Sequence, residues 1–250
     1  MRVLVVSDIH ANLAAFDAVL RQTKPDRDVV FCLGDLVGYG PDPKECIARA
    51  ADLCTIVLGG NHDLAAGGVT DLSCFAEHAR IALDWTLPQL SPEDVDYLSK
   101  LPLKTEYGDL LLSHGSPEDP LWGYIFSQSD AEFAFAQGSF TRCFFGHTHF
   151  PSFFIETREN PGTVSYKAGY GMPDSVIETD GENLRVLPNP GSVGFPRDRI
   201  DTHHFSKYRR AIARYALFDT KSGLWQFKRL EYDLRKTAKR MKELGLWQDD

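Results

Sequence analysis

Five short clusters carry residue types that ligate cations: Ser7-Asp8-Ile9-His10, Gly34-Asp35-Leu36-Val37-Gly38, Gly59-Gly60-Asn61-His62-Asp63, Ser113-His114-Gly115 and Gly146-His147-Thr148-His149. From them, Asp8, His10, Asp35, Asn61, His114, His147 and His149 offer carboxylate, imidazole and amide oxygen. This borderline donor set suits manganese, iron, zinc or nickel rather than calcium. It exceeds what one tetrahedral ion takes and fits two ions that share a carboxylate and keep open positions. Strand alternation puts Asp8 and His10 on one face, and His147 and His149 repeat that spacing. Gly34, Gly38, Gly60, Gly115 and Gly146 allow turns or backbone approach that a Cβ obstructs. Alone, an Asp-x-His or His-x-His pair is more often a surface or capping cluster, and Gly-Asp-x-x-Gly is an ordinary turn. Here all five occur in order, each directly after an apolar run.

Those runs are Val3 to Val6, Val29 to Leu33, Thr55 to Leu58, Leu110 to Leu112 and Cys143 to Phe145. Short apolar runs alternating with helical patterns mark crossover units of a largely parallel, buried sheet. In such sheets, ligands collect beyond the carboxyl ends of the strands, so the clusters are expected on one rim. Leu13, Phe16, Val19 and Leu20 recur at helical spacing after Asn12, predicting a capped helix over 12–23. Asp42-Pro43, Ser91-Pro92-Glu93-Asp94 and Ser129-Asp130-Ala131-Glu132 read as further helix starts. Beyond Phe153 the pattern turns β-rich, with a hairpin signal at Asp180-Gly181 and a turn at Lys221 to Gly223. Asp233 to Leu244 reads as an amphipathic helix stopped by Gly245. Without a repeat or linker, residues 1–250 are expected to form one α/β (α+β) domain of two packed sheets with helices outside.

The charge balance, 27 Lys and Arg against 35 Asp and Glu for a net −8, disfavours stable binding to duplex nucleic acid. Cys32, Cys46, Cys54, Cys74 and Cys143 form no C-x-x-C pair and read as buried packing residues in a reducing compartment. The N-terminus lacks the features of a signal peptide and no run is long enough to span a membrane, so a cytoplasmic location is expected. Oligomeric state is unmarked.

The chain resembles the calcineurin-like metallophosphoesterases, in particular the bacterial branch of phosphodiesterases related to diadenosine tetraphosphatases and serine/threonine phosphatases. The resemblance runs from Met1 to about Asp219 and includes Gly-Asp-Leu-Val-Gly-Tyr-Gly-Pro-Asp-Pro at 34–43, Ser-His-Gly-Ser-Pro at 113–117 and Asn-Pro-Gly-Ser-Val-Gly at 189–194. It implies a four-layer αββα sandwich of two mixed sheets. It also implies a two-metal centre, with Asp8, His10, Asp35 and His149 around one divalent ion and Asp35, Asn61, His114 and His147 around the other. Ala11 departs from the glycine usual after the first histidine, and the segment from Arg197 to Arg214 diverges.

The implied chemistry is hydrolysis of a small phosphate ester or nucleotide-type substrate, most simply a diester, by in-line attack of a hydroxide between two cations. His62 is expected to face the substrate as a catalytic imidazolium, with Asp63 fixing its tautomer. Asn12, Tyr39, Trp122, Tyr124 and Arg197 are candidate substrate contacts, because aromatic faces stack on bases and arginine forks around phosphate. His78 is expected to be exposed and away from the site. The basic residues Arg197, Arg199, His203, His204, Lys207, Arg209, Arg210 and Arg214 read as a solvated face or subunit contact, and the basic C-terminal helix as a solvated face. The competing readings are a phosphomonoesterase or phosphoprotein phosphatase, and a non-catalytic metal-binding scaffold on the same fold.

Overall fold

The computed structural model describes residues 1–160, 162–197 and 212–246. The chain opens with β1 (Arg2–Val6), whose residues Val3 to Val6 are wholly buried, as a strand covered on both faces requires. Asn12 then caps α1 (Leu13–Thr23), its Oδ1 accepting the Ala15 N–H at 3.2 Å. There follow β2 (Val29–Cys32), α2 (Pro43–Leu53) with proline in its first turn, and β3 (Ile56–Val57). A helical stretch holds α3 (Asn61–Ala66), α4 (Glu77–Thr86) and α5 (Pro92–Ser99). Ser91 starts α5 with a reciprocal capping box to Asp94, as the sequence predicts.

The second half supplies β4 (Lys104–Tyr107), β5 (Leu110–Ser113), α6 (Gln128–Gln137), β6 (Arg142–Phe144), β7 (Pro151–Asn160), β8 (Thr163–Tyr170), β9 (Val176–Glu178), β10 (Leu184–Pro190), β11 (Ile212–Asp219), β12 (Leu224–Glu231) and α7 (Arg235–Glu243). Two six-stranded sheets result, ordered β3-β2-β1-β11-β12-β9 and β4-β5-β6-β10-β7-β8. Strands β1, β2 and β3 run parallel, while β11, β12 and β9 complete their sheet antiparallel. In the other sheet β5, β6 and β10 run parallel, flanked by antiparallel neighbours.

Alternation along β1 builds the layers. Val3 and Val5 face the second sheet and pack with Phe31, Leu112, Phe144, Val186 and Trp225. Leu4 and Val6 face the helices and pack with Phe16, Val19, Cys46 and Ile47. On the far face of the second sheet, Cys143, Phe145 and Leu187 pack against Ala131, Ala134 and Phe135 of α6. The order is helix, sheet, sheet, helix, the four-layer sandwich expected from the resemblance.

Four local expectations are corrected. Asp180-Gly181 closes no hairpin: β9 pairs with β12 in one sheet and β10 with β7 in the other, so this turn carries the chain between sheets. The cap of α6 is Ser127, not Ser129, because Ser127 sits three residues before Asp130 and both halves of the box form there. Cys74 is exposed rather than buried, since it ends a short helical turn outside the core. Arg214 is 2% exposed on β11, so it belongs to no solvated face. The other basic residues of that segment beyond Arg197, namely Arg199, His203, His204, Lys207, Arg209 and Arg210, lie outside the described residues. The Lys221 to Gly223 turn does join an antiparallel pair, with Gly223 N–H donating to Asp219 O at 2.9 Å.

Phe144 meets Trp225 edge-on at 4.6 Å and Phe218 at 5.0 Å, which makes it the keystone between the sheets. Phe144→Ala is expected to cost ~3–5 kcal/mol of stability in denaturant titration. A loss below ~1 kcal/mol would mean that the inter-sheet layer collapses around the cavity with little penalty.

Candidate metal centre

Beyond β1 and β2 the backbones stay laced together. The Asp8 N–H donates to Gly34 O at 2.9 Å, His10 N–H to Asp35 O at 2.9 Å and Ala11 N–H to Leu36 O at 2.8 Å. The loop after β10 locks on from the other side, where Val193 and Gly194 donate to Ser7 O and Asp8 O, each at 3.0 Å. Ser192 Oγ also donates to Asp8 O at 2.7 Å, and Asn189 Nδ2 to Gly146 O at 2.7 Å. The chain makes these close reversals with left-handed backbone at non-glycine residues: Asp8, His10, Ala11, Asp35, Tyr39, His147 and His149 all have φ between 49° and 64°. Asp and His tolerate this region better than most, yet such positions store ~1–3 kcal/mol each and persist only where the surroundings impose them. At Gly34, with φ +104°, an added Cβ would lie 2.7 Å from His114 Nδ1, so the turn that delivers Asp35 needs glycine.

Two groups of ligand atoms result, each lying within 4.8 Å of one another: Asp8, His10, Asp35 and His149, and Asp35, His114 and His147. Asp35 belongs to both. His10 Nε2 and His114 Nε2 each stand 3.6 Å from Asp35 Oδ2, and His149 Nε2 stands 3.4 Å from Asp8 Oδ1. Asn61 Oδ1 lies 3.4 Å from His114 Nε2 and joins the second group.

The outer nitrogens fix the tautomers. Nδ1 of His10 faces Val37 O at 3.0 Å, Nδ1 of His114 faces Leu33 O at 2.8 Å, and Nδ1 of His149 faces Phe195 O at 2.6 Å. A carbonyl only accepts, so each Nδ1 carries the proton and each Nε2 is left with a lone pair. His147 has a backbone bond to Trp122, and its Nε2 has no partner. His10 Nε2 and His149 Nε2 therefore point lone pairs at each other across 3.0 Å. Both Asp8 oxygens lack a hydrogen-bond donor although Asp8 is wholly buried. Converging, unsatisfied acceptors are costly unless a cation accepts from all of them, and imidazoles held by carbonyls behind are the usual support of a metal site. The donors fit divalent ions.

The electrostatics agree. Burial, reinforced by Asp35, pushes Asp8 up to about 7 against the opposing pull of His114. Burial and the Asp63 carboxylate push Asp35 well above the usual range. Burial and neighbouring cationic groups hold His10, His147 and His149 well below theirs. Without a cation, burial favours the neutral forms of Asp8, Asp35, His10, His147 and His149; a divalent ion reverses the preference of the acids.

Beside the centre lies a cavity of about 290 Å³, lined by Asp35, Asn61, His147 and His149 on its floor. Tyr39, Trp122, Tyr124 and Arg197 line it too, with Arg197 Nη2 donating to Tyr39 Oη at 3.3 Å. Asn12 does not: its Nδ2 donates to Gly194 O and Tyr232 Oη while its Oδ1 caps α1, which leaves the amide nothing for a substrate. His62 is 4% exposed at the cavity wall, between the rings of His10, Tyr39 and Phe75, and its Nδ1 has no partner. Burial and the surrounding His10 and His114 hold it well below the usual range, so in the protein alone it is a neutral imidazole, not the imidazolium the sequence predicts. Asp63 does not set its tautomer. The two Asp63 oxygens accept the N–H groups of Val37 at 3.1 Å and Gly60 at 3.0 Å, bracing the loop after β2 against α3.

His78 corrects another expectation. It is half-buried, stacks on Tyr39 at 5.7 Å and lines the cavity, because α4 folds back over the site. Sequence reasoning also missed Phe75 and Phe195, which pack on His62 and Tyr39, and gave no role to Asn189 and Ser192. The run at 189–194 was the available signal for the last two; nothing local marks Phe75. The C-terminal helix is amphipathic as expected, with Arg235, Lys236, Lys239, Arg240 and Lys242 exposed, while Met241 and Leu246 pack with Tyr39, Ala79 and Ala82 behind the cavity.

Comparison with known proteins agrees with this geometry. Residues 1–151 match the calcineurin-like phosphoesterase family, and the chain belongs to that family. An uncharacterised protein of Methanocaldococcus jannaschii is 35% identical over 246 residues, 96% of this chain and 91% of that one. The crystal structure of a metallophosphoesterase from Sphaerobacter thermophilus superposes with a TM-score of 0.81 at 35% identity, over 99% of this chain and 95% of that one. A hypothetical protein from Pyrococcus horikoshii shares the fold with a TM-score of 0.73 at 21% identity, over 99% and 94% of the two chains. The protein is a phosphoric ester hydrolase with a candidate divalent-metal centre, and among the described residues no helix is long and apolar enough to cross a membrane.

Asp8 and Asp35 together make metal loading depend on pH. The raised value of Asp8 stabilises the metal-free fold below the ordinary carboxylate value of 3.8, and that contribution is lost as pH rises to about 7. A cation must displace that proton and the one the raised Asp35 carboxyl also holds, so manganese affinity measured by calorimetry is expected to rise by about tenfold or more per pH unit up to about pH 7. A flat profile between about pH 5.5 and 8 would remove Asp8 from the site.

Proposed function

We propose that this protein is a metal-dependent phosphodiesterase whose single domain, residues 1–250, assembles a two-ion centre from five loops. The inter-sheet core common to both sheets supports the single-domain reading. The observation that carries the catalytic reading is the convergence of unprotonated imidazole nitrogens and undonated carboxylate oxygens on one buried point. Asp8, His10, Asp35 and His149 would hold one ion, and Asp35, Asn61, His114 and His147 the other; manganese, iron, zinc and nickel suit these donors. When bound, such a pair supplies hydroxide at neutral pH and offsets charge on the phosphoryl oxygens.

The chain's own residues do the rest. Asp35 stands between the groups, its Oδ1 accepting the His62 backbone N–H at 3.0 Å, so the carboxylate common to both groups is tied to the start of α3, which carries His62. His62 lines the cavity, with its Nδ1 buried against Gly38. An arriving phosphate anion favours the imidazolium, which then donates to the departing oxygen. Arg197 is the one lysine or arginine lining the cavity among the described residues. Its guanidinium can fork around a phosphate oxygen. Five free cysteines support a reducing, cytoplasmic location.

Metal-loaded protein is expected to turn over bis(p-nitrophenyl) phosphate with at least ~10-fold higher kcat/KM than p-nitrophenyl phosphate, and His62→Ala to lose ~10²-fold or more in kcat with its metals retained. The opposite preference would make it a monoesterase. Turnover of neither ester with any of manganese, iron, zinc, nickel or magnesium would make it a scaffold.

A further inference from the structure

Next to the cavity, the loop from His114 to α6 presents two aromatic rings to solvent. Tyr124 is 46% and Phe126 54% exposed, yet Ile125 between them is 1% exposed in the core under α6. The segment alternates like a strand, with one residue anchored inward and its two neighbours directed out. Its backbone is not slack: Asp130 Oδ2 accepts the Phe126 N–H at 3.0 Å, Asp119 Oδ1 accepts the Trp122 N–H at 3.1 Å, and Gly123 O accepts the Ser116 N–H at 2.9 Å. Two large apolar side chains are thus held in water by design of the loop rather than by lack of packing.

The rings form an ordered stack that starts at the metal centre. Tyr124 lies 4.1 Å from the His147 ring at 26°, and Phe126 lies 5.2 Å from Tyr124 at 11°. Phe150 meets Phe126 edge-on at 5.9 Å and leaves it 54% exposed. The series His147, Tyr124, Phe126 therefore runs from a metal-site histidine out of the cavity mouth and ends on an open, pre-positioned ring face. Nothing in the metal chemistry requires such a series, but a planar group carried on the phosphate would extend it by one layer.

We propose that Tyr124 and Phe126 are specificity-determining residues: they form a stacking platform for a planar heteroaromatic ring attached to the scissile phosphate, so that the substrate is of the nucleotide class. The claim rests on the metal-dependent esterase reading above. Stacking is tolerant of ring identity, since every base presents a π-face, so the platform selects rings over ring-free esters without choosing one base. Preordering of the loop matters because no loop entropy is lost when the ring docks.

Adenosine 5′-monophosphate and ribose 5-phosphate isolate the ring, because they share sugar and phosphate and differ only by the base. Each is measured as a competitive inhibitor of bis(p-nitrophenyl) phosphate hydrolysis by the manganese-loaded full-length protein. The nucleotide is expected to inhibit at least ~10-fold more tightly than the sugar phosphate, within the range of base–aromatic stacking. Phe126→Ala is expected to reduce that ratio to below about threefold, while Phe126→Trp restores it. A ratio near one in the parent, or a ratio that Phe126→Ala leaves intact, overturns the platform and leaves the esterase reading standing. Absence of any diester turnover by the parent overturns both.

Discussion

The structure turns on the carbonyl groups that stand behind the histidines. Val37 O, Leu33 O and Phe195 O each take the Nδ1 proton of a buried imidazole, and in doing so they aim Nε2 lone pairs at a common point. Those carbonyls are backbone atoms of the loops that follow β2 and β10, so the tautomers are set by loop conformation and not by a further side chain. With His10 and His149 presenting lone pairs to each other across 3.0 Å, the protein alone holds an electrostatically unfavourable arrangement that a cation relieves. Metal affinity here is the release of a cost already built into the fold.

That cost has a steric counterpart. Left-handed backbone at Asp8, His10, Ala11, Asp35, Tyr39, His147 and His149 amounts to strain on the order of 10 kcal/mol, as large as the net stability of an ordinary domain. It is sustained by the layered core beneath, where β1 is buried on both faces, and by the lacing of the loop after β10 onto Ser7 and Asp8. The C-terminal helix extends the support, packing Met241 and Leu246 behind Tyr39, which touches both His10 and His62. The most basic helix of the chain thus braces the wall of the candidate active site.

Much of this could be read from the sequence because strand ends and ligand types coincide in it. Val3 to Val6 before Asp8, and Cys143 to Phe145 before His147, state both the strand and what lies at its tip. The capping residues Asn12 and Ser91 were legible for the same local reason. What failed was whatever depends on partners distant in the chain. Asp63 follows His62 in sequence, yet its carboxylate turns to the amides of Val37 and Gly60. His78 reads as a surface residue of a helix, but α4 folds over the cavity and stacks it on Tyr39. Asp180-Gly181 has the composition of a hairpin and instead passes the chain from one sheet to the other, because the pairing of β9 is decided by β12 and not by the turn. Asn12 shows the converse: a residue chosen for its chemistry is consumed by a cap and two tertiary bonds.

The central claim is that one buried carboxylate, Asp35, is common to two groups of donors, and it is tested most directly by anomalous diffraction from crystals of the manganese-loaded protein. The account predicts two manganese peaks per chain, about 3.5 to 4 Å apart, with an Asp35 oxygen contacting both ions. A single peak, or ions bound away from Asp35 with the imidazole Nε2 atoms left uncoordinated, would contradict it.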